Sequence, residues 1–204
     1  MNKIKIPLRC ECSTVEGFIE IKPKGGNNIV CHCDDCQAFA KYLGREDVIL
    51  TKNLGTELFQ VTPNQLHITK GKDSLACMKL KPKGLCRWYT NCCKTPVANT
   101  INGKMAFNGV YHRFIEFESM EIPKEEALGA VQTYCMTQYG QGEFPKNSHL
   151  KYPISATLKI IKMLLGGLIF GTNRPNQFFD EVTLMPISKP TVLSLLEREE
   201  LSRK

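Results

Sequence analysis

Long apolar runs, blocks of like charge and repeats are all missing from this 204-residue chain. The opening residues, Met1-Asn2-Lys3-Ile4-Lys5-Ile6-Pro7-Leu8-Arg9, lack the apolar run and small-residue cleavage site of a secretion signal. The most apolar stretch, residues 154–170, is shorter than the roughly 20 residues that span a bilayer and is interrupted by Lys159 and Lys162. No membrane span is expected, and a helix docked on the domain or at an interface is the ordinary reading, with interfacial membrane binding the lesser alternative. The net charge of +7 would attract polyanions, yet no run of five or six like charges occurs. Lys22-Pro23-Lys24-Gly25 and Lys81-Pro82-Lys83-Gly84 read as exposed turns on a solvated surface, so nucleic acid is not an expected partner. A reducing, cytoplasmic setting is the expectation, and there clustered cysteines are metal ligands or catalytic groups more often than disulfides.

What the chain does have is cysteine. Seven of the ten fall into three tight clusters: Cys10 and Cys12, then Cys31, Cys33 and Cys36, then Cys92 and Cys93. Two or three residues between thiols let one short turn aim several sulfurs at a single point, where a borderline-soft cation such as zinc holds them. A lone Cys-x-x-Cys could equally be a redox pair. Three clusters in one chain favour metal. Cys77, Cys86 and Cys135 have no chelating neighbours and read as small buried hydrophobes.

From residue 9 to about 99 the segments are short and broken by Gly, Pro and Asn. Alternation over 18–22 predicts a strand, and residues 28–30 a strand that delivers the thiol cluster at its end. A short helix over 34–43 would place its N-terminus beside anionic sulfur. Strands are expected over 56–61, 65–69, 75–80 and 85–90. Residues 114–118 alternate again, and 124–136 are helix-like with acids in the first turn. A polar connector over 140–153, the apolar helix, an irregular stretch over 171–190 and a short charged helix over 191–203 complete the chain. The expected organisation is a zinc-binding β domain over 1–122 and a mostly helical extension over 123–204, α+β overall.

The order Cys10-x-Cys12, Cys31-His32-Cys33-x-x-Cys36-Gln37, Gly44, Gly71, then Arg87-Trp88-Tyr89-x-x-x-Cys93-x-Thr95-Pro96 resembles the glutathione-dependent formaldehyde-activating enzyme and centromere protein V family over residues 8–110. The resemblance implies a mainly β, Mss4-like fold with two zinc sites. A closed structural site would take Cys10, Cys12 and Cys93, and an open three-thiolate site Cys31, Cys33 and Cys36. Two departures stand out. Thr90 occupies the position of a family thiol, with Cys92 as the substitute ligand if the chain turns sharply there. Ser13 replaces the glycine that usually follows the first cysteine pair. The implied chemistry is that of a carbon-sulfur lyase acting on a small thiol adduct such as S-hydroxymethylglutathione.

Three thiolates leave zinc a weak Lewis acid with a vacant position for water or a substrate sulfur. The nearest groups able to move a proton are His32, Asp34 and Asp35, with His32 and Asp35 the catalytic candidates. Asp34 and Asp35 could instead cap the following helix. Gln37 and Arg87 are candidate substrate-binding residues, Arg87 through a bidentate contact to a carboxylate. The alternative for residues 87–88 is Trp88 in the core with Arg87 on the surface. His67, His112 and His149 are isolated and read as structural or surface groups. The expected cofactor is zinc, one or two per chain. The competing function is a non-catalytic, zinc-stabilised interaction module. Self-association as a homodimer through the apolar helix is a further expectation.

Overall fold

The computed structural model describes residues 2–202, so Met1, Arg203 and Lys204, the outer ends of the two expected domains, lie outside the described residues. The strands are β1 (Ile4–Arg9), β2 (Glu16–Ile21), β3 (Asn27–Cys31), β4 (Thr56–Val61), β5 (Leu66–Lys70), β6 (Leu75–Lys79), β7 (Cys86–Thr90), β8 (Pro96–Thr100), β9 (Asn108–Tyr111), β10 (Thr133–Cys135) and β11 (Thr191–Val192). The helices are α1 (Asp34–Leu43), α2 (Glu46–Ile49), α3 (Lys124–Ala127), α4 (Ile154–Phe170) and α5 (Leu195–Ser202). Two sheets form, β1-β2-β5 and β10-β3-β4-β9-β8-β7-β6-β11, so the protein is mainly β with a few helices.

The larger sheet is covered on both faces, and strand alternation sends side chains into two cores. Phe59 and Val61 of β4 and Trp88 of β7 pack with Ile6, Leu8, Ile19 and Ile21 of the small sheet. Leu58 of β4 and Tyr89 of β7 pack with Phe39, Ala40 and Leu43 of α1. A strand buried on both faces loses the apolar-in, polar-out pattern of a half-exposed one. Trp88 anchors the first core, stacked on Phe178 at 5.0 Å, edge-on to Phe179 at 5.9 Å, with its indole N–H donating to Thr100 Oγ1 at 3.0 Å.

The helix expected over 34–43 is α1, opened by Cys33 in extended conformation and closed by Gly44 at φ 64°. The apolar helix is α4, ended by Gly171 at φ 67°. Three expectations need correction. Residues 114–118 form short 3₁₀ turns around a single bridge, Leu8 to Ile115, because Phe114 and Ile115 both turn into the core. The helix expected over 124–136 stops at Ala127, where Gly129 takes φ 77°, and residues 133–135 become β10, parallel to β3. The helix expected from residue 191 begins at Leu195, after β11 has paired with β6. Residues beyond 122 thus supply both edge strands of the large sheet, and α5 packs on α1.

Of the 17 residues of α4, only Ala156 and Gly167 are buried. Ile154, Leu158, Ile161, Leu165 and Leu168 face outward at alternating spacings of four and three, all exposed. No helix among the described residues is long and apolar enough to cross a membrane.

Because Trp88 fills the space between the sheets, Trp88→Ala is expected to lower the unfolding free energy by about 3–5 kcal/mol. Denaturant unfolding of the variant beside the wild type measures it; a change below about 1 kcal/mol would show that Trp88 does not anchor this core.

Candidate metal centres

The seven clustered cysteines collect at two points. Cys10, Cys12, Cys92 and Cys93 place their sulfurs within 4.8 Å of one another, and so, separately, do Cys31, Cys33 and Cys36. Both groups could hold a metal ion, and zinc fits the all-thiol donor set.

The four-thiol group joins the β1–β2 turn to the β7–β8 turn. Sulfurs 2.3 Å from a tetrahedral zinc stand about 3.8 Å apart. Here Cys10 and Cys12 are 3.6 Å apart, Cys12 and Cys92 3.2 Å, and Cys92 and Cys93 3.8 Å. Adjacent cysteines reach one point because residues 91–93 are a turn and not extended strand, with Lys94 at φ 58°. Thr90 has its hydroxyl 3.3 Å from the Cys93 sulfur, and Thr95 Oγ1 lies 3.2 Å from the same atom. Burial opposes ionisation of Cys93, but these two hydroxyls bring its pKa down to about 6. Cys10, by contrast, is pushed up to about 12, chiefly by burial. Ser13, just after the first cysteine pair, holds φ 59°, a backbone region that costs an L-residue roughly 1–2 kcal/mol. Arg45 ties the two turns together: it donates to both Glu11 carboxylate oxygens at 2.8 Å and to the Cys93 carbonyl at 3.0 Å.

The three-thiol group lies where β3 runs into α1. Cys31 ends the strand, Cys33 is the residue before the helix and Cys36 sits in its first turn, whose N–H groups favour anionic sulfur. Cys36 is held well below the ordinary thiol range, first by hydrogen bonds from the Cys31 and Cys33 thiols and then by the Arg87 guanidinium. Cys31 is pushed up, first by its contact with the Cys135 thiol. Cys135 is not part of the group; its thiol donates to the Val30 carbonyl at 3.6 Å.

These thiols face a cavity of about 290 Å³ over the large sheet. Its polar floor is one cross-strand row, Arg87, Asn99, Gly109 and Gln60 on β7, β8, β9 and β4. Arg87 Nη1 donates to Asn99 Oδ1 at 3.3 Å, Tyr111 donates to the same oxygen at 3.1 Å, and Arg87 Nη2 lies 3.7 Å from Asp35 Oδ2. Arg198 of α5 lies 3.5 Å from the other Asp35 oxygen. Burial works against the Arg87 charge, but Tyr111, Cys36, Cys33 and Asp35 around it raise its pKa. Tyr152, just before α4, and Ile160 of α4 complete the lining.

Asp35 and Arg87 therefore come together at the thiols, whereas His32 and Gln37 do not line the cavity. The His32 ring is buried, its Nδ1 3.1 Å from the Cys135 carbonyl oxygen and the Phe144 ring edge-on at 5.1 Å. Gln37 Nε2 donates to the His32 and Tyr139 carbonyls at 2.8 and 2.9 Å, fixing the turn. Asp34 Oδ1 accepts from the Asp35 amide at 2.9 Å. Sequence reasoning missed Gln60, Asn99, Tyr111 and Tyr152; the usable signal was polar residues inside apolar strand segments.

Metal analysis of purified protein should find about two zinc per chain, with Cys92→Ser and Cys33→Ser each losing a different one. Both variants retaining two equivalents would refute the assignment of these thiols.

No curated protein matches the chain. The crystal structure of a Rhodobacter sphaeroides protein, a structural-genomics target, is 16% identical with a TM-score of 0.42, over 62% of this chain and 97% of that one. The model of a family of unknown function, DUF6151, matches residues 1–187, and the chain belongs to that family.

Proposed function

We propose that the three-thiol group is an open zinc centre at which a small thiol adduct is made or broken, and that the four-thiol group is a closed zinc site serving an Mss4-like fold. One observation carries this reading: three sulfurs within 4.8 Å of one another face a cavity, with no fourth ligand in that group among the described residues. A catalytic zinc keeps such an open position and a structural one does not. The motif resemblance supports carbon-sulfur lyase chemistry on a hemithioacetal, S-hydroxymethylglutathione being the family's example.

Zinc held by Cys31, Cys33 and Cys36 would supply the positive charge that keeps a substrate sulfur deprotonated. Asp35 lines the cavity and is the group within reach to accept the hydroxymethyl O–H proton. As that proton leaves, the oxygen lone pair forms the carbonyl, the carbon-sulfur bond breaks and its electron pair stays on sulfur. The proton then passes from Asp35 to the departing thiol, which restores the starting state. Arg87 and Arg198, one beside each Asp35 oxygen, set the orientation of the carboxylate. Residues beyond 122 contribute Tyr152 and Ile160 to the cavity lining.

A non-catalytic zinc module is the competing reading, and it needs the three-thiol centre closed by a fourth ligand. Cys135 adjoins Cys31 but stands outside the ligand group. Exchange between formaldehyde, a thiol and their adduct, followed by magnetization-transfer NMR, separates the two. Asp35→Asn should slow catalysed exchange at least 100-fold with zinc content unchanged. No catalysed exchange by the native protein would favour the module.

The exposed α4 stripe supports the expected homodimer, since four-three spacing is that of a two-helix seam. Sedimentation should show a dimer that Leu165→Glu converts to monomer; a monomeric wild type would exclude it.

A further inference from the structure

The resemblance points to glutathione as the thiol, and the cavity wall argues for a different class. We infer that the three-thiol centre accepts an apolar thiol or its aldehyde adduct in preference to glutathione; the inference rests on the open-centre reading above. The lining is largely apolar, with Ile29, Leu58, Leu85, Ile101, Phe107 and Ile160 as its hydrocarbon side chains. Among the described residues lining it, Asp35 and Arg87 are the only charged side chains, and they face each other at 3.7 Å.

Glutathione brings two carboxylates and an ammonium on either side of its sulfur. Bringing its sulfur to the thiols sets those charges beside apolar wall, where an unpaired charge carries a large desolvation penalty. Arg87, the one cation that lines the cavity, is engaged: Asn99 and Asp35 take its fork, and Cys36 and Cys33 lie in its field. A carboxylate could bind it only by displacing those partners. The neutral polar groups are partly engaged with one another and carry no charge to answer a carboxylate or an ammonium. Asn99 Oδ1 accepts from both Arg87 and Tyr111, and Gln60 Nε2 donates to the Tyr152 hydroxyl at 3.3 Å. The polar row thus holds the guanidinium beside the thiols, and what it leaves for a ligand is a largely apolar surface with no uncommitted charge among the described lining residues.

Gly109 makes room for that ligand. It lies in the floor row between Asn99 and Gln60, and a Cβ there would meet only ordinary contacts, Phe107 Cζ at 3.5 Å and Asn99 Cβ at 3.9 Å. The backbone tolerates a side chain at this position, so the glycine is not required by strain; a larger residue would project into the cavity instead. Shape and polarity together select a compact hydrocarbon group attached to sulfur, such as a benzyl or short alkyl chain.

The test uses the full chain with cobalt(II) in place of zinc, whose visible absorption changes when an added thiol joins the metal. Phenylmethanethiol should half-saturate that change at a concentration at least tenfold below that of glutathione. Gly109→Val should weaken phenylmethanethiol at least tenfold with the cobalt content unchanged. Ile160→Lys, on a helix with little buried surface, should move the preference towards glutathione, which keeps the test decisive if the glycine variant does not fold. Glutathione binding as tightly as phenylmethanethiol, or more tightly, overturns the substrate class and leaves the open centre standing. If cobalt is retained and neither thiol alters the spectrum, the open-centre reading falls, and the substrate class falls with it.

Discussion

Three thiolates on a divalent zinc would carry one net negative charge, and a single buried guanidinium lies where it can answer it. Arg87 is the one Lys or Arg buried among the described residues, and burying an ion is tolerable only when partners replace its water. Cys36, Asp35, Asn99 and Tyr111 surround it, and the Phe39 ring lies with its centroid 5.6 Å from the guanidinium carbon. Those partners come from α1, β8 and β9, so one charge draws the helix that carries Cys36, and that follows directly on Cys33, onto the strands that floor the cavity. Removing the guanidinium would leave Asp35 and the sulfurs repelling one another across a space of low polarity.

The same residue shows where strand reasoning reaches its limit. Alternation along β7 does separate Arg87 from Trp88, and Trp88 does enter the core. The further step, that Arg87 must then meet water, assumes one wet face. Here α1 and α5 cover the other face, a fact of tertiary packing that no local pattern carries. Polar side chains on such a face must find partners within the protein. Asn99 and Gln60 do so along one cross-strand row, which only the register of four strands reveals.

Local signals were read well where the chain's own chemistry decides the outcome. Gly44 and Gly171 stop α1 and α4 at the expected residues, and the short strands from 56 to 90 fall within a residue or two of their predicted positions. Failure came where distant pairing decides. Residues 133–135 carry a helix-like pattern but add to the edge of β3 in parallel, with Cys135 beside Cys31. The thiol clusters were legible because ligand spacing is a local property. The placement of His32 was not: adjacency to two ligands in sequence says nothing of which way its ring turns, and the ring turns to the Cys135 carbonyl.

The four-thiol group shows how two adjacent cysteines can aim their sulfurs at one point. Neighbouring sulfurs converge in this way provided the backbone folds back between them. The turn at residues 91–93 supplies that fold, Lys94 accepts a left-handed conformation to complete it, and Thr90 turns its hydroxyl to the Cys93 sulfur. Thr90 is therefore a hydrogen-bonding neighbour of Cys93, and Cys92 joins the group from the next position in the turn. The three-thiol group is placed by regular structure instead: Cys31 ends β3, Cys33 precedes α1 and Cys36 sits in its first turn, so a shift of one residue in either element would turn a sulfur away from the cavity.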